Sequence, residues 1–306
     1  MRFAGELAAL STALLWSFTA IFFSLAGKRI GSFNVNKIRL GFASAIYIIV
    51  LLFTTGYPFP SGLNSSQVFW LTISGLIGLV IGDGCGFKSL VMIGPRLATL
   101  VMASTPIMAT VIAWVFLGEK LKLIELVGIT VTIAGIAWVV SERQYGTNGL
   151  AEDHPDAGTL ARGVMLALVA SLAQATGLVL SKHAMLDLGP KVPPLEASAV
   201  RILTSLVMIW SFSALRGKLP QTIRSLKDGR AVLFSAGGAF FGPFLGVWMS
   251  LVAVSLIETG IAATLNATTP VLIIPTVILV YREKVTFRAV LGAIVAVVGV
   301  ALLFLG

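Results

Sequence analysis

Residues 98–137, ATLVMASTPIMATVIAWVFLGEKLKLIELVGITVTIAGIA, and residues 262–301, AATLNATTPVLIIPTVILVYREKVTFRAVLGAIVAVVGVA, align without a gap. Ala98 meets Ala262, Thr105-Pro106 meets Thr269-Pro270, Glu119-Lys120 meets Glu283-Lys284, Gly128 meets Gly292, and Gly135 meets Gly299. Self-similarity at a fixed spacing marks a structural unit used twice. Carried upstream, the same register sets Gly78, Gly82 and Gly86 against Gly242, Gly246 and Ser250. A shift of two residues, within what a loop absorbs, sets Arg39 against Arg201.

The repeated material is apolar. Of 306 residues, 57% are hydrophobic and 11% charged, and mean hydropathy is +0.97. A water-soluble globule has no use for that much apolar surface. A bilayer core takes roughly 20 apolar residues of helix per crossing. Ten runs meet that length, at approximately 3–26, 37–55, 67–88, 96–117, 121–141, 160–182, 196–215, 231–254, 260–281 and 286–305. None alternates as a barrel strand would, and backbone groups in lipid must be satisfied within their own segment, so the expected fold is an all-α membrane protein. The first run, Phe3 to Ala26, has no small-residue cleavage site and exceeds a signal-peptide core in length, which predicts a permanent helix.

Residues 142–159, ERQYGTNGLAEDHPDAGT, form the one connection with linker character. They divide the chain into a first five-helix repeat, 1–141, and a second, 160–306. Five is odd, so consecutive units enter the membrane from opposite sides and are inverted relative to each other. Inverted repeats are a transporter architecture, because two similar bundles can exchange conformations about a site near the midplane.

The net charge of +9 does not indicate nucleic acid, since the basic residues punctuate the ends of apolar runs. Cys85 is the single cysteine, so no intrachain disulfide forms; His154 and His183 lie far apart, and no metal or cofactor is expected. The series Gly82-Asp83-Gly84-Cys85-Gly86 has the look of a dinucleotide-binding loop but lies inside a hydrophobic helix, where no strand precedes it.

The paired Thr-Pro followed by Glu-Lys in each half, the single arginine at the start of each second helix, and Trp16-Ser17 in the first helix resemble the drug/metabolite transporter superfamily, in its ten-helix branch with two EamA-type domains. The resemblance covers nearly the whole chain. It implies a secondary transporter without ATP hydrolysis, an exporter of amino acids or other small metabolites in a bacterial-type inner membrane, active as a monomer. Its central cavity would be formed by helices 1, 3, 4, 6, 8 and 9. Trp16 has Gln174 as its approximate counterpart in helix 6, so the two sides of that cavity differ in chemistry.

Asp83 is the most informative residue, because a carboxylate within a membrane helix costs about 2.5–3.5 kcal/mol on insertion scales. It is either a substrate-binding or proton-coupling group, or half of a structural pair with Lys88 or another base near a helix end. Gly75, Gly78, Gly82 and Gly86 share one helical face and Gly238, Gly242, Gly246 and Ser250 share its counterpart, a pattern that predicts close helix packing. Pro106 and Pro270, inside helices 4 and 9, would free the carbonyls of Met102 and Asn266 and kink the helices. The hydroxyls of Ser104, Thr105, Thr268 and Thr269 could meet those carbonyls or a solute. Gln174 and Asn266 are amides in apolar helices, suited to a site or to interhelical bonds. Trp16 and Trp248, with Phe240, Phe241 and Phe244, could wall a cavity for an amphiphilic solute. Glu119 and Glu283 suggest capping, and Arg39 and Arg201 interfacial anchoring. No catalytic constellation is present, so an enzyme is not expected. Rival readings are a flippase for a lipid-linked substrate and a nontransporting membrane scaffold. The positive-inside rule, dominated by loop 216–230, RGKLPQTIRSLKDGR, places both termini outside, whereas the family resemblance implies both inside.

Overall fold

The computed structural model describes residues 3–142, 156–269, 271–272 and 287–305, and every regular element among them is helical. Pro270, Glu283, Lys284, His154, most of the 142–159 linker and much of the ninth expected helix lie outside the described residues. The helices of the first half are α1 (Ala4–Ile30), α2 (Ser32–Thr55), α3 (Ser65–Gly75), α4 (Asp83–Met102), α5 (Thr105–Leu117) and α6 (Leu123–Glu142). Those of the second are α7 (Ala157–Leu186), α8 (Pro194–Leu215), α9 (Leu219–Ser225), α10 (Gly229–Ala239), α11 (Val247–Leu256), α12 (Thr259–Asn266) and α13 (Phe287–Leu305). Six continuous stretches among the described residues are long and apolar enough to span a membrane, and three shorter apolar helices accompany them. Phe53, Val115, Leu215 and Leu233 turn outward with most of their surface bare, as lipid-facing side chains do.

Two features lay outside the sequence reading. A π-helical turn, Leu76–Gly82, joins α3 to α4, and a second, Phe240–Gly246, joins α10 to α11, at positions the repeat sets opposite each other. A π turn re-aims the residues that follow it and leaves carbonyls with altered partners, which is why such turns recur at functional sites. The short amphipathic α9 occupies the basic loop 216–230.

The third and fourth crossings differ from expectation. The backbone stays helical from Asp83 through Met102, and the interruption comes at Ala103-Ser104. Pro106 therefore occupies the first turn of α5 rather than a helix interior, where its missing N–H costs nothing. The expected bend is a break, and the freed Met102 carbonyl accepts from Thr105 Oγ1 at 2.8 Å. The second half repeats this: α12 ends at Asn266, whose carbonyl accepts from Thr269 Oγ1 at 3.0 Å. Ser104 and Thr268 likewise each donate to the carbonyl three residues back, at 2.7 Å.

The inversion is visible in how glycines pack. A Cβ on Gly135 would lie 2.3 Å from the Ala296 nitrogen, and one on Gly299 would lie 2.4 Å from the Thr132 nitrogen, so α6 and α13 touch backbone to backbone. Gly128 meets Leu303 and Gly292 meets Val139 in the same way. In each pair of contacts the repeat carries one partner onto the other, the signature of a two-fold relation. Rising residue numbers on α6 meet falling ones on α13, so the two fifth helices run antiparallel. α2 and α8 obey the same rule, with the Trp210 indole donating to the Lys37 carbonyl near one end. α1 lies along α10, α11 and α12 of the other half, while α7 lies along α3, α4 and α5. The expected glycine faces are buried in these seams: Gly78 against Gly177, Gly82 against Ala173, Gly242 against Thr19, and Gly246 against the Trp16 ring.

Candidate functional site

The first π turn ends at Gly82, which delivers Asp83 into the interior as the first residue of α4. There Arg39, two turns into α2, forms an ion pair with Asp83 Oδ2. Gln174 of α7 donates from Nε2 to Asp83 Oδ1 at 2.7 Å and lies 3.3 Å from the Gly78 carbonyl of the π turn. Arg39 also donates from Nε to Asn36 Oδ1 at 2.8 Å, and its guanidinium lies between the rings of Phe23 and Phe87, 5.4 and 5.3 Å from their centroids. Three helices from both halves thus converge on one carboxylate. Arg39 is not the interfacial anchor expected from its place near a helix start: only 8% of its side chain is accessible, against 17% for Asp83. Asp83 does not pair with Lys88, which is exposed. The reason is geometric: Lys88 lies on the same helix and points out, while α2 brings Arg39 across from a neighbouring crossing. Breaking such a buried pair by removing one partner costs about 3–5 kcal/mol.

Arg201, the repeat mate of Arg39, is buried two turns into α8 at 3% exposure. Its Nη2 rests on the bare faces of Gly78 and Gly177, where a Cβ would come within 3.2 and 3.4 Å. Its Nε has no hydrogen-bond partner, and among the described residues no carboxylate forms an ion pair with it. The repeat explains the vacancy. The position matching Asp83 is Val247, a buried aliphatic residue at the same place after the second π turn.

The remaining expected residues gather around the second π turn. Ser17 Oγ lies 3.3 Å from the Thr269 carbonyl, and Thr269 Oγ1 lies 3.3 Å from the Ala13 carbonyl, which ties α1 to the segment after α12. Trp16 packs on Gly246, as Gln174 borders Gly82 in the other half. Trp248 is half-buried with its ring 6.0 Å from Phe244, and Phe244 in turn meets Tyr47 edge-on at 5.1 Å. Asn266 is buried with both side-chain polar atoms unpartnered. Asp83 and Gln174 therefore meet directly, Ser17 meets Thr269, and Thr105 serves its own helix break. Phe240 is 42% exposed and suits lipid contact better than a cavity wall.

A further polar cluster closes one end of the molecule. Glu119, just past α5, accepts from the backbone N–H and the hydroxyl of Thr259 at 2.7 and 2.8 Å and pairs with Lys182 of α7 at 2.8 Å. It caps α12, the capping role expected for it, and ties the two halves together. Lys182 also donates to the Ile257 carbonyl at 2.7 Å. These groups line a cavity of about 300 Å³ with Lys120, Asp187 and Glu258.

The sequence profile of the EamA-like transporter family matches residues 3–141 and 161–305. The chain belongs to that family. This EamA-like transporter is an integral, multi-pass membrane protein, which implies a lipid bilayer around it. It is similar to the uncharacterized transporter YyaM of Bacillus subtilis, with 26% identity over 133 residues, 42% of this chain and 43% of that one. It is also similar to an uncharacterized transporter of Clostridium kluyveri, with 29% identity over 148 residues, 47% of this chain and 45% of the relative. The chain thus matches under half the length of each. A solved crystal structure shares its fold with a TM-score of 0.76, covering 99% of this chain and 96% of the other at 18% identity.

Proposed function

We propose that this protein is a secondary transporter that exports a small metabolite or amphiphilic solute across a bacterial-type inner membrane by alternating access, as a monomer and without a cofactor. The observation that carries this reading is the Arg39–Asp83–Gln174 cluster, which joins both halves around one interior carboxylate. A proton on Asp83 would weaken its hold on Arg39 and loosen α2 from α4, whereas an ionised Asp83 locks them; this links a proton to the change of state. The repeats 1–141 and 160–306, joined by linker 142–159, supply the two-fold symmetry. The bodies that rock are the interleaved sets that pack together: α1 with α10–α12, and α7 with α3–α5. Ser17, Thr269, Trp16, Trp248 and Asn266 line the solute path from one side, Gln174, Asp83 and Thr105 from the other. The helix breaks before Pro106 and at Asn266 absorb bending.

A thermal-shift screen of metabolites on purified protein identifies a solute, since a ligand held only by the folded state raises the melting temperature. Flux of that solute into proteoliposomes is then measured with and without a pH gradient. Asp83→Asn is expected to lower flux at least tenfold and to abolish the response to the gradient. A variant with wild-type flux and an unchanged gradient response would show that Asp83 does not couple.

A further inference from the structure

Around the first π turn the described residues gather two guanidinium groups, Arg39 and Arg201, and one carboxylate, Asp83. Asp83 has both oxygens engaged, Oδ2 by Arg39 and Oδ1 by Gln174. Among the described residues no ion pair joins it to Arg201. Arg201 is buried with an unpartnered Nε, and its Nη2 lies over two glycines that offer only backbone. The second half has no acid at the matching place, since Val247 stands where Asp83 stands in the repeat. The cluster Arg39, Asp83 and Arg201 therefore carries one uncompensated positive charge inside a membrane protein.

A buried cation without an internal counter-ion is retained where something else supplies the charge. The planar guanidinium fork matches a carboxylate with two parallel hydrogen bonds, a geometry that a lysine ammonium or an isolated dipole cannot reproduce. Nη2 seats directly against the backbone of Gly78 and Gly177, where no side chain offers it a counter-charge. The half-buried Trp248 and the Phe244 ring pack in the same α2–α8 core and offer apolar contact to the rest of a solute.

We infer that Arg201 is the anchor for the carboxylate of a small organic monoanion, which completes the charge balance that Val247 leaves open. This rests on the transport reading for its setting, but it is a statement about binding and is tested as one. Purified protein in detergent, with no gradient, is titrated with benzoate and with its neutral isostere benzamide, reading melting temperature and tryptophan fluorescence. Benzoate is expected to bind at least tenfold more tightly than benzamide. Arg201→Gln should remove that preference, and Arg201→Lys, which keeps the charge but not the fork, should weaken benzoate about tenfold while leaving benzamide unchanged. If Arg201→Gln does not fold, the wild-type comparison and Arg201→Lys decide alone.

Equal binding of benzoate and benzamide by the wild type, or an undiminished benzoate preference in Arg201→Lys, overturns the inference. Chloride or inorganic phosphate displacing benzoate at equal concentration would also overturn it, by assigning the charge to an inorganic ion. Proteoliposome flux separates the two readings. Benzoate binding without flux of any solute defeats transport and leaves the anchor standing, whereas flux that ignores the carboxylate defeats the anchor and leaves transport standing.

Discussion

The segment from Arg39 to Asp83 and the segment from Arg201 to Val247 share a plan of helix, π turn and helix, α9 apart, and differ in chemistry. Each has an arginine two turns into its second helix, a π turn in its third crossing, and a test residue immediately after that turn. In the first, a carboxylate meets the arginine and both are satisfied; in the second, a valine leaves the arginine to lie against glycine. Symmetry in these repeats is a property of packing, which glycine spacing enforces. The chemical difference enters where the symmetry fails, at the single pair Asp83 and Val247.

The largest expected effect attacks the shared part. Gly135→Leu and Gly299→Leu each place a side chain where backbone already lies, 2.3 and 2.4 Å from the nearest nitrogen. Each should destabilise by about 3 kcal/mol or more, at the upper end for overpacking, and the two losses should be equal within error because the contacts are two-fold mates. Melting temperature and monodispersity in detergent measure this; a tolerated leucine at either position would break the symmetry claim.

A smaller effect sharpens the difference. Val247→Asp restores the missing acid. In the wild-type background it should be tolerated, whereas combined with Arg201→Gln it should leave a buried carboxylate alone. The coupling energy from the double-mutant cycle is expected at about 1–3 kcal/mol in favour of the Arg201–Asp pair. A coupling near zero would mean that Arg201 does not reach its symmetric position.

The smallest effect lies outside the membrane core, where the halves are also joined. Arg29, in the last turn of α1, donates to both oxygens of Asp228, which in turn caps α10 through the Ala231 N–H. The Arg29 hydrogen bonds, then the Ala231 N–H, hold the Asp228 carboxyl below its ordinary 3.8. The folded state thus binds the proton less well than the unfolded chain. Its contribution is fully present above the ordinary value and fades as pH falls through the depressed one. The pair is exposed and screened, so Asp228→Asn should lower the melting temperature by only a degree or two at pH 7 and show a flatter decline than wild type below pH 4. Parallel declines would exclude the pair as a contributor.

Much of this was legible in the chain. Hydropathy placed most of the crossings to within a few residues, because a helix must stay apolar for the thickness of the bilayer whatever its neighbours do, but it put a connection between 88 and 96 where the backbone is helical from Asp83 through Met102. The ungapped repeat foretold matched disturbances at Met102 and Asn266, expected as proline kinks and found as breaks, and it foretold the glycine seams, because both follow from local residue types. Asp83 and Gln174 were singled out separately, and their contact at 2.7 Å could not be foreseen, since nothing in a sequence orders the two helices around their axes. Arg39 and Arg201 were read as anchors because a basic residue near a helix start usually reaches for the interface. The π turns left no mark in the periodicity, being one inserted residue in an otherwise helical run.

The sequence by itself determined that the chain crosses a membrane, that it does so in two inverted fives, and that the helices are disturbed beside Met102 and Asn266; these depend on hydrophobic length, on parity and on the residues at each disturbance. Only the tertiary structure decided which charge finds which partner, that α1 and α7 each pack into the opposite half, and that Arg201 is left unpaired. Contacts between residues far apart in the chain depend on how helices are rotated and set against one another, and that is fixed by the packing of the whole bundle at once.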